Sequence, residues 1–163
     1  AERGNPPEKF QALFARAKEL GLVLVAHAGE EGPAAYITQA LDLLDVQRID
    51  HGVRCLESED VVQRLKESQT VLTVCPLSNV SLKVVDQLDQ HPLPALLEAG
   101  LKVTISSDDP AYFGGGLLEN HIACVDAFGW GEDTFKWLNR NAMEEAFVSD
   151  ARRAELLKRL EAA

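Results

Sequence analysis

LVLVAHAGEEGP, residues 22–33, runs through a block of aliphatic side chains and then breaks into His27, Glu30, Glu31 and two glycines. A short, continuous, Val-rich apolar run with no polar alternation fits a strand covered on both faces, as strands of parallel sheets are. A helical pattern precedes it. Asn5 and Pro6 read as an N-cap with proline in the first turn, and Phe10, Leu13, Phe14, Ala17 and Leu20 then share one face before Gly21. A second helical pattern follows from Ala35 to Leu44, through Ile37, Ala40 and Leu41.

The same alternation continues down the chain. QRIDHG (47–52) is a short strand that breaks at Asp50, His51 and Gly52, and Ser58 then caps a helix carrying Val61, Val62 and Leu65. TVLTVCP (70–76) is a third buried run, stopped by Pro76. HPLPALLEAG (91–100) is a short helix ended by Gly100, and LKVTIS (101–106) is a fourth strand. Beyond Leu117 the pattern predicts helices at Ile122 to Phe128, at Thr134 to Phe147, and from a cap at Ser149 through Leu160. Buried strands alternating with helices at roughly 24 to 33 residues per unit define an α/β chain with a parallel sheet.

The chain has 163 residues, 46% hydrophobic and 26% charged, the size and composition of one globular domain. A formal net charge of -10 argues against nucleic acid or an anionic membrane as partner, because both need clustered Lys and Arg. No apolar run approaches the roughly 18 to 20 residues of a membrane span, and AERGNPPEKF at the N-terminus has neither a basic nor an apolar leader region. A cytoplasmic location is expected. Cys55, Cys75 and Cys124 are odd in number and widely spaced, which predicts reduced, packed thiols rather than disulfides or a thiolate zinc knuckle.

In parallel α/β barrels the chemistry sits at the C-terminal strand ends and in the βα loops beyond them. All four strands here end on such residues: His27 and Glu30, then His51, then Ser78 and Asn79, then Asp108 and Asp109. Each has a local explanation too. Glu30 suits an acidic first helical turn, His51 a turn before Gly52, Ser78 and Asn79 caps, and the Asp-Asp-Pro step a turn or N-cap. Their joint placement on one rim favours a site. His and Asp suit zinc, a nearby Glu that is not a ligand suits general acid/base work, and a second His can stabilise developing negative charge. Two adjacent carboxylates are tolerable where a cation offsets their repulsion. His91 and His121 lack strand-end placement and read as structural.

HAGEEGP, RIDHGVR, CPLSNVSLKVV and SSDDPAYFGGG, in this order and spacing, resemble the adenosine/adenine deaminase family of zinc-dependent (β/α)8 barrels over essentially the whole chain. The resemblance implies that His27 and Asp108 are zinc ligands and that Glu30 donates a proton to the purine N1. It further implies that His51 orients the attacking hydroxide and that Asp109 hydrogen-bonds N7. CPLSN followed by LKVV, and SSDDPAYFGG, look more like the adenine branch, which implies the free base as substrate, with adenosine and N6-substituted adenines as alternatives.

The family's first strand carries a His-x-His pair of ligands, and no His-x-His occurs in this sequence. A full barrel has eight strands and typically about 250 residues, whereas four strands are legible here. The chain therefore reads as the C-terminal half of a single barrel domain that requires an N-terminal half, with a homo-oligomer left open. The rival readings are a non-catalytic half-barrel interaction module and a different metal-dependent amidohydrolase. The 163-residue chain alone is expected to bind zinc weakly and to release no ammonia from adenine, which an ammonia assay with added zinc checks.

Overall fold

The computed structural model describes residues 2–162. In chain order its elements are α1 (Gln11–Glu19), β1 (Val25–Ala28), α2 (Ala34–Leu43), β2 (Arg48–His51), α3 (Glu59–Ser68) and β3 (Val71–Val74). They continue with α4 (Pro76–Ser81), α5 (Leu93–Glu98), β4 (Val103–Ile105), α6 (Pro110–Phe113), α7 (Leu117–Phe128), α8 (Glu132–Glu144) and α9 (Asp150–Glu161). No helix among the described residues is long and apolar enough to cross a membrane. The elements group into two compact units, Ala1–Val74 with Pro92–Lys102 and Cys75–His91 with Val103–Ala163.

In the first unit β1, β2 and β3 pair in parallel, with Ala26 opposite Ile49, Ala28 opposite His51 and Ile49 opposite Leu72. The ladder goes on where Leu72 N–H donates to the Lys102 carbonyl at 2.9 Å. Ile37 from α2, Ile49 from β2, Leu65 from α3, Leu72 from β3 and Leu96 from α5 are fully buried together. Each such side chain contributes roughly 1.5–3 kcal/mol through removal from water. The β1 to α2 turn is tight: Gly29 has φ +74°, and a Cβ there would stand 2.5 Å from Ile37 Cδ1. Only glycine tolerates both the conformation and the contact.

Four expectations change in this unit. The first strand begins at Val25, while Leu22 and Val23 are 59% and 48% exposed. β1 is only partly covered along its length, because its one ladder partner is β2 and nothing among the described residues pairs with its other edge. The helical face of Leu13 and Leu20 is in register as read, yet no residue of α1 is buried. The helix also starts later than Asn5 and Pro6 suggest, after a 3-10 turn at Pro7–Phe10.

The second unit is built around β4, whose three residues are all buried. Buried amides tie its parts. Asn141 Nδ2 donates to the Val103 carbonyl at 2.9 Å, and Asn120 accepts from Leu77 N at 3.1 Å while donating to the Gly116 carbonyl at 2.9 Å. The C-terminal helices fall near their expected places, with α7 reaching back to Leu117, α8 ending at Glu144, and Ser149 capping α9 through Arg152 N. Leu72→Ala is expected to cost about 2–5 kcal/mol and Leu72→Met less than about 1.5 kcal/mol, read from urea denaturation midpoints.

Candidate active site

The parallel register of the first unit sets His27 opposite Asp50 and Ala28 opposite His51. The two imidazoles meet with ring centroids 4.8 Å apart. His51 Nδ1 lies 3.1 Å from Glu30 Oε1, and both side chains are buried, at 1% and 8% exposure. His27 remains 60% exposed, and its Nδ1 stands 3.8 Å from Asp50 Oδ2. Asp50 is itself held by the Thr73 hydroxyl at 2.5 Å and by Arg48 Nε at 3.1 Å. Three residues expected at the site, His27, Glu30 and His51, are thus gathered by adjacent strand ends.

In the second unit the Ser78 hydroxyl, fully buried, donates to Asp108 Oδ2 at 2.7 Å. Asp108 is exposed and adopts φ +59°. Asp109 caps α6, its Oδ1 accepting from both Ala111 N and Tyr112 N at 3.0 Å. The capping explanation of this aspartate is thus realised locally, and it fixes the direction of the carboxylate. Asn79 is a buried residue of α4 whose Oδ1 lies 3.1 Å from His91 Nε2. A carbonyl oxygen can only accept, so His91 Nε2 carries the proton.

His51 shares with Asp108 the left-handed conformation, at φ +66°. The other non-glycine residues with positive φ, Asp45, Gln69 and Lys83, sit at or just beyond helix ends, where that conformation is a common stop. His51 and Asp108 instead lie at or just past strand ends. A non-glycine residue held there stores local strain, a feature that concentrates at functional positions.

The donor chemistry suits zinc. Nitrogen and oxygen donors are the kind that zinc takes: in the first unit the His27 imidazole has a carboxylate 3.8 Å from its Nδ1, and in the second unit the Asp108 carboxylate is oriented by a buried hydroxyl. Asp50 and Thr73 were not singled out from the sequence. Asp50 stands beside His51 in RIDHGVR, but its neighbours across the sheet depend on register. Cys55, Cys75 and Cys124 are buried and in no disulfide, and burial pushes the thiols of Cys55 and Cys124 up to about 12, consistent with inert packing of those two.

The adenosine deaminase family model matches residues 1–163, and the chain belongs to that family. It is 57% identical over 157 residues to the adenine deaminase of Cupriavidus metallidurans, covering 96% of this chain and 44% of that protein. It is 54% identical to the adenine deaminase of Hahella chejuensis, covering 99% and 48%. The crystal structure of adenine deaminase from Arthrobacter aurescens superposes with a TM-score of 0.98 at 54% identity, over 99% of this chain and 50% of that one. A zinc-bound amidohydrolase from Burkholderia ambifaria gives a TM-score of 0.86 at 28% identity, over 100% and 49%. The chain spans about half the length of the curated relatives it matches. Its four parallel strands with their helices are the C-terminal half of a (β/α)8 barrel.

Burial pushes the His91 pKa down to about 4. The folded state therefore keeps this ring neutral where the unfolded chain, titrating near 6.5, has already taken up a proton. Stability from this source is complete above about pH 6.5 and falls as the pH drops toward 4, by roughly 3 kcal/mol in all. His91→Gln is expected to flatten the loss of unfolding free energy between pH 7 and 4.5 by about 2–3 kcal/mol relative to the unsubstituted chain, measured by denaturation at each pH.

Proposed function

We propose that the polypeptide containing this segment is a zinc-dependent adenine deaminase that converts adenine and water to hypoxanthine and ammonia in purine salvage. The observation that carries this reading is the buried Glu30–His51 pair, 3.1 Å apart, beside His27. The adenine deaminases that share more than half of their aligned residues with the chain support the choice of base. His27 and Asp108 would hold the zinc, with further ligands from the N-terminal half of the barrel. When bound, zinc supplies Lewis acidity that lowers the pKa of a water toward neutrality.

Glu30 gives a proton to N1 of the purine, which makes C6 more electrophilic toward water, and His51 orients that water. Asp109, fixed as a helix cap, accepts a hydrogen bond from N7–H of the adenine tautomer that carries its imidazole proton there. The oxygen of that water bonds to C6, one of its protons returns to Glu30 and the other passes to the amino group, and ammonia leaves as the C6–N bond breaks and the C6 carbonyl forms. Reduced, buried cysteines support a cytoplasmic setting.

A panel of adenine, adenosine and N6-substituted adenines, assayed by ammonia release, is expected to show adenine strongly preferred, and preference for a nucleoside would overturn the substrate assignment. Glu30→Gln in the complete polypeptide is expected to retain zinc while lowering turnover by a factor of about 100 or more. Near-normal turnover would remove Glu30 as the proton donor.

A further inference from the structure

We propose that Glu2 is a positioning residue for the reaction, its carboxylate holding the loop that carries Glu30 in the conformation from which Glu30 meets His51. The proposal rests on the reading of Glu30 as proton donor. Four consecutive backbone N–H groups converge on this one side chain. Gly29 N donates to Oε1 at 2.6 Å, while Glu30, Glu31 and Gly32 donate to Oε2 at 3.0, 2.8 and 3.0 Å. Successive N–H dipoles aimed at one point form a concave, positive site for an anion. The run lies just ahead of α2, so without an acceptor its donors would be left unmet.

The loop is shaped to admit this carboxylate. A Cβ on Gly32 would come 2.6 Å from Glu2 Oε1 and 2.4 Å from Tyr36 Cδ2, so a larger residue would push the acid out. Glu2 is in turn placed by its own turn, in which Asn5 N donates to the Glu2 carbonyl at 2.9 Å. The opposite polarity of the loop is met by Arg54. Its backbone N–H donates to the Gly29 carbonyl at 2.8 Å, and its Nη1 donates to the Glu31 carbonyl at 2.7 Å. With the N–H groups fixed by an acid and the carbonyls by a base, the peptide planes around Glu30 have little freedom. The direction of its side chain toward His51 follows.

The test uses the complete polypeptide, with Glu2→Ala and Glu2→Gln made alone and on a Glu30→Gln background, and reads kcat, KM for adenine and zinc content. Glu2→Ala is expected to lower kcat by about 10- to 100-fold, with KM within about threefold and zinc unchanged, because a misplaced reacting group costs rate rather than affinity. Glu2→Gln keeps an acceptor oxygen without the charge and should lose less. On the Glu30→Gln background either change should alter kcat by less than about twofold, the non-additivity expected of a residue that acts through another.

Unchanged kcat in Glu2→Ala overturns the proposal, as does an equal loss in both backgrounds, which marks a general effect on folding. Loss of zinc does so too. If Glu2→Ala does not fold, Glu2→Gln carries the same comparison. Normal turnover in Glu30→Gln alone would instead bring down the reading of Glu30, an outcome distinct from an impaired Glu30→Gln beside an unaffected Glu2→Ala.

Discussion

Parallel pairing in one register between β1 and β2 is the constraint on which the site depends. Because His27 faces Asp50, a carboxylate stands behind its imidazole, and His51, opposite Ala28 at the end of β2, brings its ring within 4.8 Å of the His27 ring. Side chains alternate between faces along a strand, so regular pairing alone would put His51, like Ala28, on the face opposite His27 and Asp50, and it is the departure of His51 from strand geometry, at φ +66°, that accompanies the meeting of the rings. The apolar residues that hold this register, Ile49 and Leu72, lie opposite each other and are fully buried. Core packing and site geometry are thus consequences of one register.

Polar groups taken out of water around this frame are all answered. Among the described residues no buried side-chain nitrogen or oxygen lacks a hydrogen-bond partner. In the second unit the partners are chiefly amides, Asn79, Asn120 and Asn141, which bond to a histidine ring or to backbone at the ends of short elements. Such contacts hold segments too short to be stabilised by their own backbone bonds, the six-residue α4 and the three-residue β4 above all. The arrangement also leaves Ser78 able to aim an exposed aspartate. Fixed backbone and fixed hydroxyls allow an acid to keep one direction, which a chemical role at that position would need.

Much of this was legible in the residues. Four apolar runs ending on His, Glu, Ser, Asn and Asp gave the order of strands and helices and picked out His27, Glu30, His51, Asp108 and Asp109, because a βα unit repeats its pattern locally. The stops at Gly21 and Gly100 and the cap at Ser149 were equally local. Less legible were the extents. Leu22 and Val23 extend the apolar run without joining the ladder, and the apolar stripe of α1 predicts a buried face that the described residues do not cover. A hydrophobic period says which side of an element seeks cover, and says nothing of whether the cover lies in the same stretch of chain.

The sequence by itself determined the α/β class and the order of strands and helices along the chain, and it marked the candidate chemical groups, since each rests on spacing and residue type within some ten neighbours. Tertiary structure alone decided which groups touch. That Glu30 reaches His51, that Asp50 and Thr73 stand behind His27, and that Glu2 gathers four N–H groups nearly thirty residues away depend on strand register and loop conformation. Hydrogen bonds at such separations follow from packing the whole unit, and no local pattern encodes them.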